Sequence, residues 1–307
     1  MKLTEKDVLI LDGACGTSIQ NMDLPDTVWD GNEGCNEYLC LSAPERIKEM
    51  HLSFLRAGAD IVETNSFGGT SIVLGEYGLQ DRAADINRAA VACARAAVEE
   101  HGAGWVAGSV GPGTKLPSLG HITVEDLEVA YREQIETLVD AGVDLLILET
   151  AQDILQLKTV LIAARSILEE KNRDIPIMVS VTIESTGTML AGTDIAAAAA
   201  IIEPFDVFSF GLNCATGPED MLSSIRWLSH NWSGRISCIP NQGLPEIVDG
   251  KTTYPMTPEA YASELKTFVG DWGVTLAGGC CGTTPEHIAR LKESLEKVKP
   301  AEREVQS

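Results

Sequence analysis

The side chains in this sequence best equipped for chemistry are sulfurs and carboxylates at the ends of short apolar runs. The stretch "VTLAGGCCGTTPEHIARL" (274–291) sets Cys280 and Cys281 side by side in a glycine turn, between an apolar run and a helix start. A disulfide between neighbouring cysteines is strained, and a zinc knuckle spaces its pair by two residues. A third thiol, Cys214, follows the run "DVFSFGLN" and precedes the helix start "ATGPEDM". Three thiolates with no obvious fourth protein ligand describe a catalytic zinc site with an open position. The Gly-Gly approach and the Gly282 exit would let both adjacent sulfurs point at one ion. Thr284 is the expected N-cap of the last helix, with Pro285 in its first turn. Helix N-termini favour thiolates over thiols by roughly 0.3–1 kcal/mol. The competing reading, buried cysteines filling small spaces, suits Cys214 alone better than three thiols at strand ends. Iron and copper also accept thiolates, but a redox-silent tetrahedral ion is the simpler match.

An open metal position bordered by sulfur suits one task above others: taking up an incoming thiol and holding it as a thiolate at neutral pH. Three cysteinates leave Zn2+ with a net charge of −1, so the centre polarises water poorly and keeps a bound sulfur nucleophilic. The ligand set therefore points to thiol alkylation and away from hydrolysis. Asp12 and Glu149 end apolar runs in the same way and are expected to grip an ammonium group. The backbone N–H groups of Gly13 and Ala14 are candidates for a carboxylate. Asp12-Gly13 alone is a turn signal. A charge such as Glu149, closing the buried run "LLIL", must face a partner or a ligand.

Something has to bring these residues to one place. Strand candidates recur at 8–13, 60–65, 105–111, 145–150, 175–182, 206–213, 235–241 and 274–279. Helical stretches lie between them, among them 44–57, 82–100, 123–141, 153–171 and 257–270. Eight strands, most followed by a helix, predict a single α/β (β/α)8 TIM barrel, in which catalytic residues sit at strand C-terminal ends. A doubly wound sheet is the runner-up. An internal echo, "RAGADIVETNSF" against "DAGVDLLILETAQD", fits repeated units. Residues 1–296 are expected to form the barrel, and the polar stretch 297–307 a tail or linker start.

Composition narrows the class. At 307 residues and 44% hydrophobic, the chain can build a real core. Its net charge of −22 opposes phosphate backbones and anionic headgroups, so neither nucleic acid nor a membrane is an expected partner. With no secretory signal and no long apolar stretch, a cytoplasmic protein is expected. The eight cysteines then read as reduced thiols or metal ligands. Cys93 falls in an alanine-rich helical run, as a small buried thiol. Cys35 and Cys40 could pair or bind a metal, but no second pair lies nearby.

"LDGACGTSIQ", "ETNSFGGT", "GSVGP", "LLILETAQD", "FGLNCATGPE", "PNQGLP" and "GGCCGTTPEHI" together resemble the homocysteine S-methyltransferase family, most of all the homocysteine-binding module of its cobalamin-dependent members. The resemblance runs from residue 8 to about 296. It implies a (β/α)8 barrel with Zn2+ held by Cys214, Cys280 and Cys281, and homocysteine bound through sulfur. The substrate's amino group would meet Asp12 and Glu149, and its carboxylate the backbone after Asp12. Asn241, in "PNQG", matches a position near the metal and would lend an oxygen when substrate is absent. Cys15 stands where the family more often has a larger apolar residue; packing is its expected role, a fourth sulfur the alternative.

The implied reaction is S-methylation of homocysteine to methionine with methylcobalamin as donor. No Asp-x-His-x-x-Gly corrinoid loop occurs in the sequence, so that donor would be held by a separate corrinoid-binding module or protein. A free-standing enzyme using S-methylmethionine, betaine or another small donor is the alternative. A thiol-based metal-binding or redox-sensing barrel is the alternative from another class, but it leaves Asp12 and Glu149 without work. Aromatic residues make up only 5% of the chain, which argues mildly against a cage for a sulfonium or betaine cation.

Overall fold

The computed structural model describes residues 2–244, 246–248 and 251–305. Eight parallel strands, β1 (Leu9–Ile10), β2 (Ile61–Glu63), β3 (Trp105–Val110), β4 (Leu145–Ala151), β5 (Ile177–Val181), β6 (Ser209–Asn213), β7 (Arg235–Ile239) and β10 (Val274–Ala277), pair in the order β1-β10-β7-β6-β5-β4-β3-β2. A parallel bridge between Leu11 and Ile61 joins the two ends of that order and closes the ring. The chain is a single (β/α)8 barrel. A doubly wound sheet would have left two open edges.

The strands read as apolar runs because both faces are covered, by the barrel interior on one side and helices on the other. All seven residues of β4, "LLILETA", are buried, including Glu149 and Thr150. Helices Pro44–Ala57, Ala83–His101, Val124–Asp140, Ile154–Glu170 and Pro258–Trp272 lie close to the expected stretches. Two more, Ile195–Ile202 and Pro218–Asn231, follow β5 and β6, and Pro285–Leu295 follows β10. Thr284 is the N-cap of that last helix with Pro285 at its first turn, as the sequence predicts. Asp153, just past the end of β4, caps the next helix by accepting from the N–H groups of Leu155 and Gln156. Such a cap contributes about 1 kcal/mol.

Two features depart from simple alternation. A short antiparallel hairpin, β8 (Glu246–Val248) and β9 (Lys251–Thr253), stands between β7 and the following helix. The polar C-terminal stretch, as far as it is described, lies along the barrel. Ala301 N–H donates to the Val269 carbonyl at 3.0 Å, and the Arg303 guanidinium donates to the carbonyls of Trp232 (2.7 Å) and Gly234 (2.5 Å). Among the described residues no helix is long and apolar enough to cross a membrane.

Candidate active site

A cavity of about 240 Å³ opens at the C-terminal ends of the strands. Its walls bring together Asp12, Glu63 and Glu149 with Cys214, Cys280 and Cys281. Gly13 and Ala14 also line it; Asn241 does not. Residues separated by more than 260 positions in sequence meet here because every parallel strand delivers its C-terminal end to the same rim.

The sulfur side is built by backbone ties to the end of β7. Cys214 N–H donates to the Ile239 carbonyl (3.1 Å), and Cys280 N–H to the Pro240 carbonyl (2.8 Å). Cys281 N–H donates to Asn241 Oδ1 at 3.1 Å. Asn241 is buried and thus supports Cys281 from behind, its side-chain oxygen already committed. Cys214 and Ala215 both sit at positive φ, +61° and +56°, as does Thr150 at +55°. Left-handed backbone in side-chain-bearing residues costs on the order of 1–3 kcal/mol and gathers at functional sites. Gly279 and Gly282 are required for different reasons. A Cβ at Gly279 would strike Thr283, and Gly282 has φ +81°.

The three Sγ atoms lie within 4.8 Å of one another, with Cys214 and Cys281 Sγ 3.8 Å apart. Thiol hydrogen bonds from Cys214 and Cys280 pull the Cys281 thiol down to about 3. Cys280 is held well above the ordinary thiol range by its sulfur neighbours, Cys214 first, and by burial. The cluster thus takes one negative charge readily and resists a second, unless a cation is present. A tetrahedral thiolate site with metal–sulfur bonds of about 2.3 Å spaces its sulfurs by about 3.8 Å. The donor set and its spacing therefore fit a zinc ion.

Carboxylates form the opposite wall. Glu149 Oε1 accepts from Ser109 Oγ at 2.5 Å, and Oε2 from Asn213 Nδ2 at 3.2 Å. Asp12 Oδ2 accepts from the Glu63 N–H at 3.0 Å. Glu63 ends β2 on the same cavity, close enough to Glu149 for their charges to repel. Burial is the main cause that pushes Asp12, Glu63 and Glu149 above the usual carboxylate range, and mutual repulsion raises Asp12 and Glu63 further. A wall with too few cations for its carboxylates is suited to an ammonium ligand. Glu63 ends a strand run in the sequence, but sequence reasoning assigned it no role. Its signal was the internal echo, since "VETN" and "LETA" put Glu-Thr at the ends of two strands.

Other residues fall outside these roles. The Ala14 N–H points to Thr283, at 3.1 Å from Oγ1 and 3.3 Å from the carbonyl. Cys15 lines the cavity but donates to Asn65 Oδ1 at 3.4 Å and stands apart from the three-sulfur group. Cys35 and Cys40 do not face each other's partners. Cys35 Sγ lies 4.0 Å from Glu37 Oε2, whereas Cys40 accepts from Asn65 Nδ2 at 3.4 Å. All eight cysteines are free.

Barrel and site define a thiol-bearing (β/α)8 protein whose polar cavity pairs sulfurs with carboxylates. The family model described as homocysteine S-methyltransferase matches residues 9–295, and the chain belongs to that family. It is similar to a methionine synthase of Mycobacterium tuberculosis, 41% identical over 302 residues, covering 97% of this chain and 25% of that protein. A methionine synthase of Mycobacterium leprae is 40% identical over 294 residues, covering 94% of this chain and 24% of that one. The chain thus spans about a quarter of the length of these relatives. Among solved structures, the metallated form of the homocysteine methyltransferase MmuM from Escherichia coli superposes with a TM-score of 0.73 at 26% identity. The alignment covers 95% of this chain and 97% of that one.

Proposed function

We propose that this barrel binds homocysteine and presents its sulfur, as a thiolate, for S-methylation to methionine. The observation that carries the reading is one cavity with three sulfurs on one wall and three carboxylates on the other, Asp12 and Glu149 buried and Glu63 half-buried. Cys214, Cys280 and Cys281 would hold Zn2+, which when bound supplies the positive charge that keeps a thiol deprotonated at neutral pH. Asp12 and Glu149 receive the amino group, Glu149 oriented by Ser109 and Asn213. The backbone of Gly13 and Ala14 faces the substrate carboxylate, the Ala14 N–H turning from Thr283 to do so. Asn241 acts on substrate only through Cys281. In the transfer, the substrate sulfur's lone pair forms the new S–C bond, and the methyl group leaves its bonding electrons with the donor. The thiol proton goes to solvent.

Methylcobalamin on a separate corrinoid-binding module or protein is the donor this reading favours. Phe67 is the one aromatic residue among the described lining residues, whereas a sulfonium or betaine cage needs several. The fit to MmuM over nearly its whole length keeps a second reading open, a free-standing enzyme using a small donor. Free cysteines throughout accord with the reducing cytoplasm. Residues 1–296 form the functional module in either case.

Zinc analysis with homocysteine titration tests the proposal. One zinc per chain, and about one proton released per homocysteine at neutral pH, is expected. Zinc without proton release would mean a structural site and would favour the metal-sensing reading.

A further inference from the structure

The turn that carries Asp12 and the turn that carries Cys280 and Cys281 are tied together at three points. Gly279 N–H donates to the Asp12 carbonyl at 2.9 Å, just before the cysteines. Ala14 N–H donates to Thr283 Oγ1 at 3.1 Å, a tie that is given up once a substrate carboxylate takes that N–H. The third tie follows the cysteines: Gly282 N–H donates to Thr17 Oγ1 at 3.1 Å, across 265 positions of sequence. Thr17 is half-buried in the short helix Cys15–Gln20 and lines the cavity. Its neighbour Ser18 spends its hydroxyl inside that helix, on the Ala14 carbonyl. Gly282 sits at φ +81°, and glycine has the widest backbone freedom of any residue, so the exit of the cysteine turn needs an anchor from outside.

We propose that Thr17 is a positioning residue that sets the length of thiol the cavity accepts: by holding the Gly282 N–H, it fixes the reach from the Asp12–Ala14 turn to Cys280 and Cys281. The inference rests on the function proposed above and deepens it. With the Ala14 tie released to substrate, the Gly279 and Gly282 ties remain, one on each side of the cysteine pair. Of the two, only the second depends on a side chain. An amino-acid thiol has to bridge both turns, its amino-acid end at one and its sulfur at the other, so a fixed reach favours one chain length. Homocysteine exceeds cysteine by a single methylene, a difference worth roughly 10–200-fold in a pocket built around it. A cysteine turn free to shift would let the shorter thiol bridge as well.

The test compares Thr17→Val, which keeps the branched shape and removes the hydroxyl, with Thr17→Ser, which keeps the hydroxyl. Each zinc-loaded protein is titrated calorimetrically with L-homocysteine and with L-cysteine, and its zinc content is measured. Thr17→Val should retain stoichiometric zinc, while its preference for homocysteine over cysteine falls about five- to tenfold, the value of one hydrogen bond. Thr17→Ser should restore the wild-type preference, and Thr17→Ala, also without a hydroxyl, should reproduce the loss. A wild-type preference in both Thr17→Val and Thr17→Ala would overturn the inference. So would an equal weakening of both thiols, the mark of a merely structural bond. A wild-type protein that takes up zinc but binds neither thiol would overturn the proposed function and this inference with it.

Discussion

Asn213 fastens Glu149 to the cysteine side of the cavity. Its Nδ2 donates to Glu149 Oε2 at 3.2 Å and to Thr150 Oγ1 at 2.7 Å, and its Oδ1 accepts from the Thr150 N–H at 2.9 Å. Asn213 is also the last residue of β6, directly before Cys214. One side chain therefore sets the distance between the carboxylate that would grip the substrate's nitrogen and the sulfur that would hold the ion meeting its thiol. Under the proposed function, that span would select an amino-acid thiol over a simple thiol.

Asn213→Ala should consequently loosen substrate binding without removing the metal. A hydrogen bond to a charged group contributes roughly 1.5–3 kcal/mol, so homocysteine affinity should fall by about tenfold or more. Calorimetric titration checks this, with zinc stoichiometry measured on the same sample. Glu149→Gln should act in the same direction. Unchanged affinity in both variants would remove this wall from the binding site.

Replacing Cys214, Cys280 or Cys281 singly by alanine should abolish stoichiometric zinc and methyl transfer together, since two sulfurs cannot close a stable site. Cys15→Ala should do neither, because its sulfur is engaged with Asn65. Zinc content after dialysis against a weak chelator separates the two cases. Full zinc occupancy in any of the three single variants would show that this cysteine is not a ligand.

The sequence announces the barrel and its sulfur centre because both rest on one-dimensional signals. Eight apolar runs with Gly and helix starts between them specify the strand ends, and the rule that parallel strands expose their C-terminal ends to one rim does the rest. Asn241 shows where that reasoning stops. A motif places it beside the metal, but whether its oxygen points into the cavity or back to the Cys281 N–H is decided by local chain direction, which only coordinates contain. Glu63 was missed for a related reason. Its importance lies in meeting Glu149, 86 positions away, in one cavity, and spacing does not encode that proximity. The positive φ of Cys214 and Ala215 was equally invisible, because neither residue type favours it.

Gly211 carries a stability prediction independent of chemistry. It lies in β6 opposite Ser237 of β7, and a Cβ there would overlap the Ser237 carbonyl and approach its side chain. Strand backbone cannot yield as a flexible side chain does. Gly211→Ala should therefore cost about 3 kcal/mol or more, at the upper end for overpacking. A denaturant midpoint within error of wild type would show that β6 and β7 separate more easily than their pairing implies.

The crowding of Asp12, Glu63 and Glu149 in one cavity gives a pH dependence of definite sign. Asp12, Glu63 and Glu149 all titrate above their ordinary values of 3.8, 4.5 and 4.5 in the folded chain, burial being the largest cause for each. Once the pH exceeds those ordinary values, the unfolded chain has released protons that the folded chain still holds. Their contribution to stability is thus fully present below the ordinary values and is lost as pH rises through the raised, folded-state ones. Glu63→Gln removes one titrating group and one like charge from the wall. The Tm of metal-stripped Glu63→Gln, relative to wild type, should accordingly rise as pH climbs above the ordinary carboxylate range. Saturating L-methionine, whose ammonium would compensate the wall, should shrink that difference. Thermal scans across the pH range provide the check, and a difference that stays flat with pH would mean that Glu63 holds no proton in the folded protein.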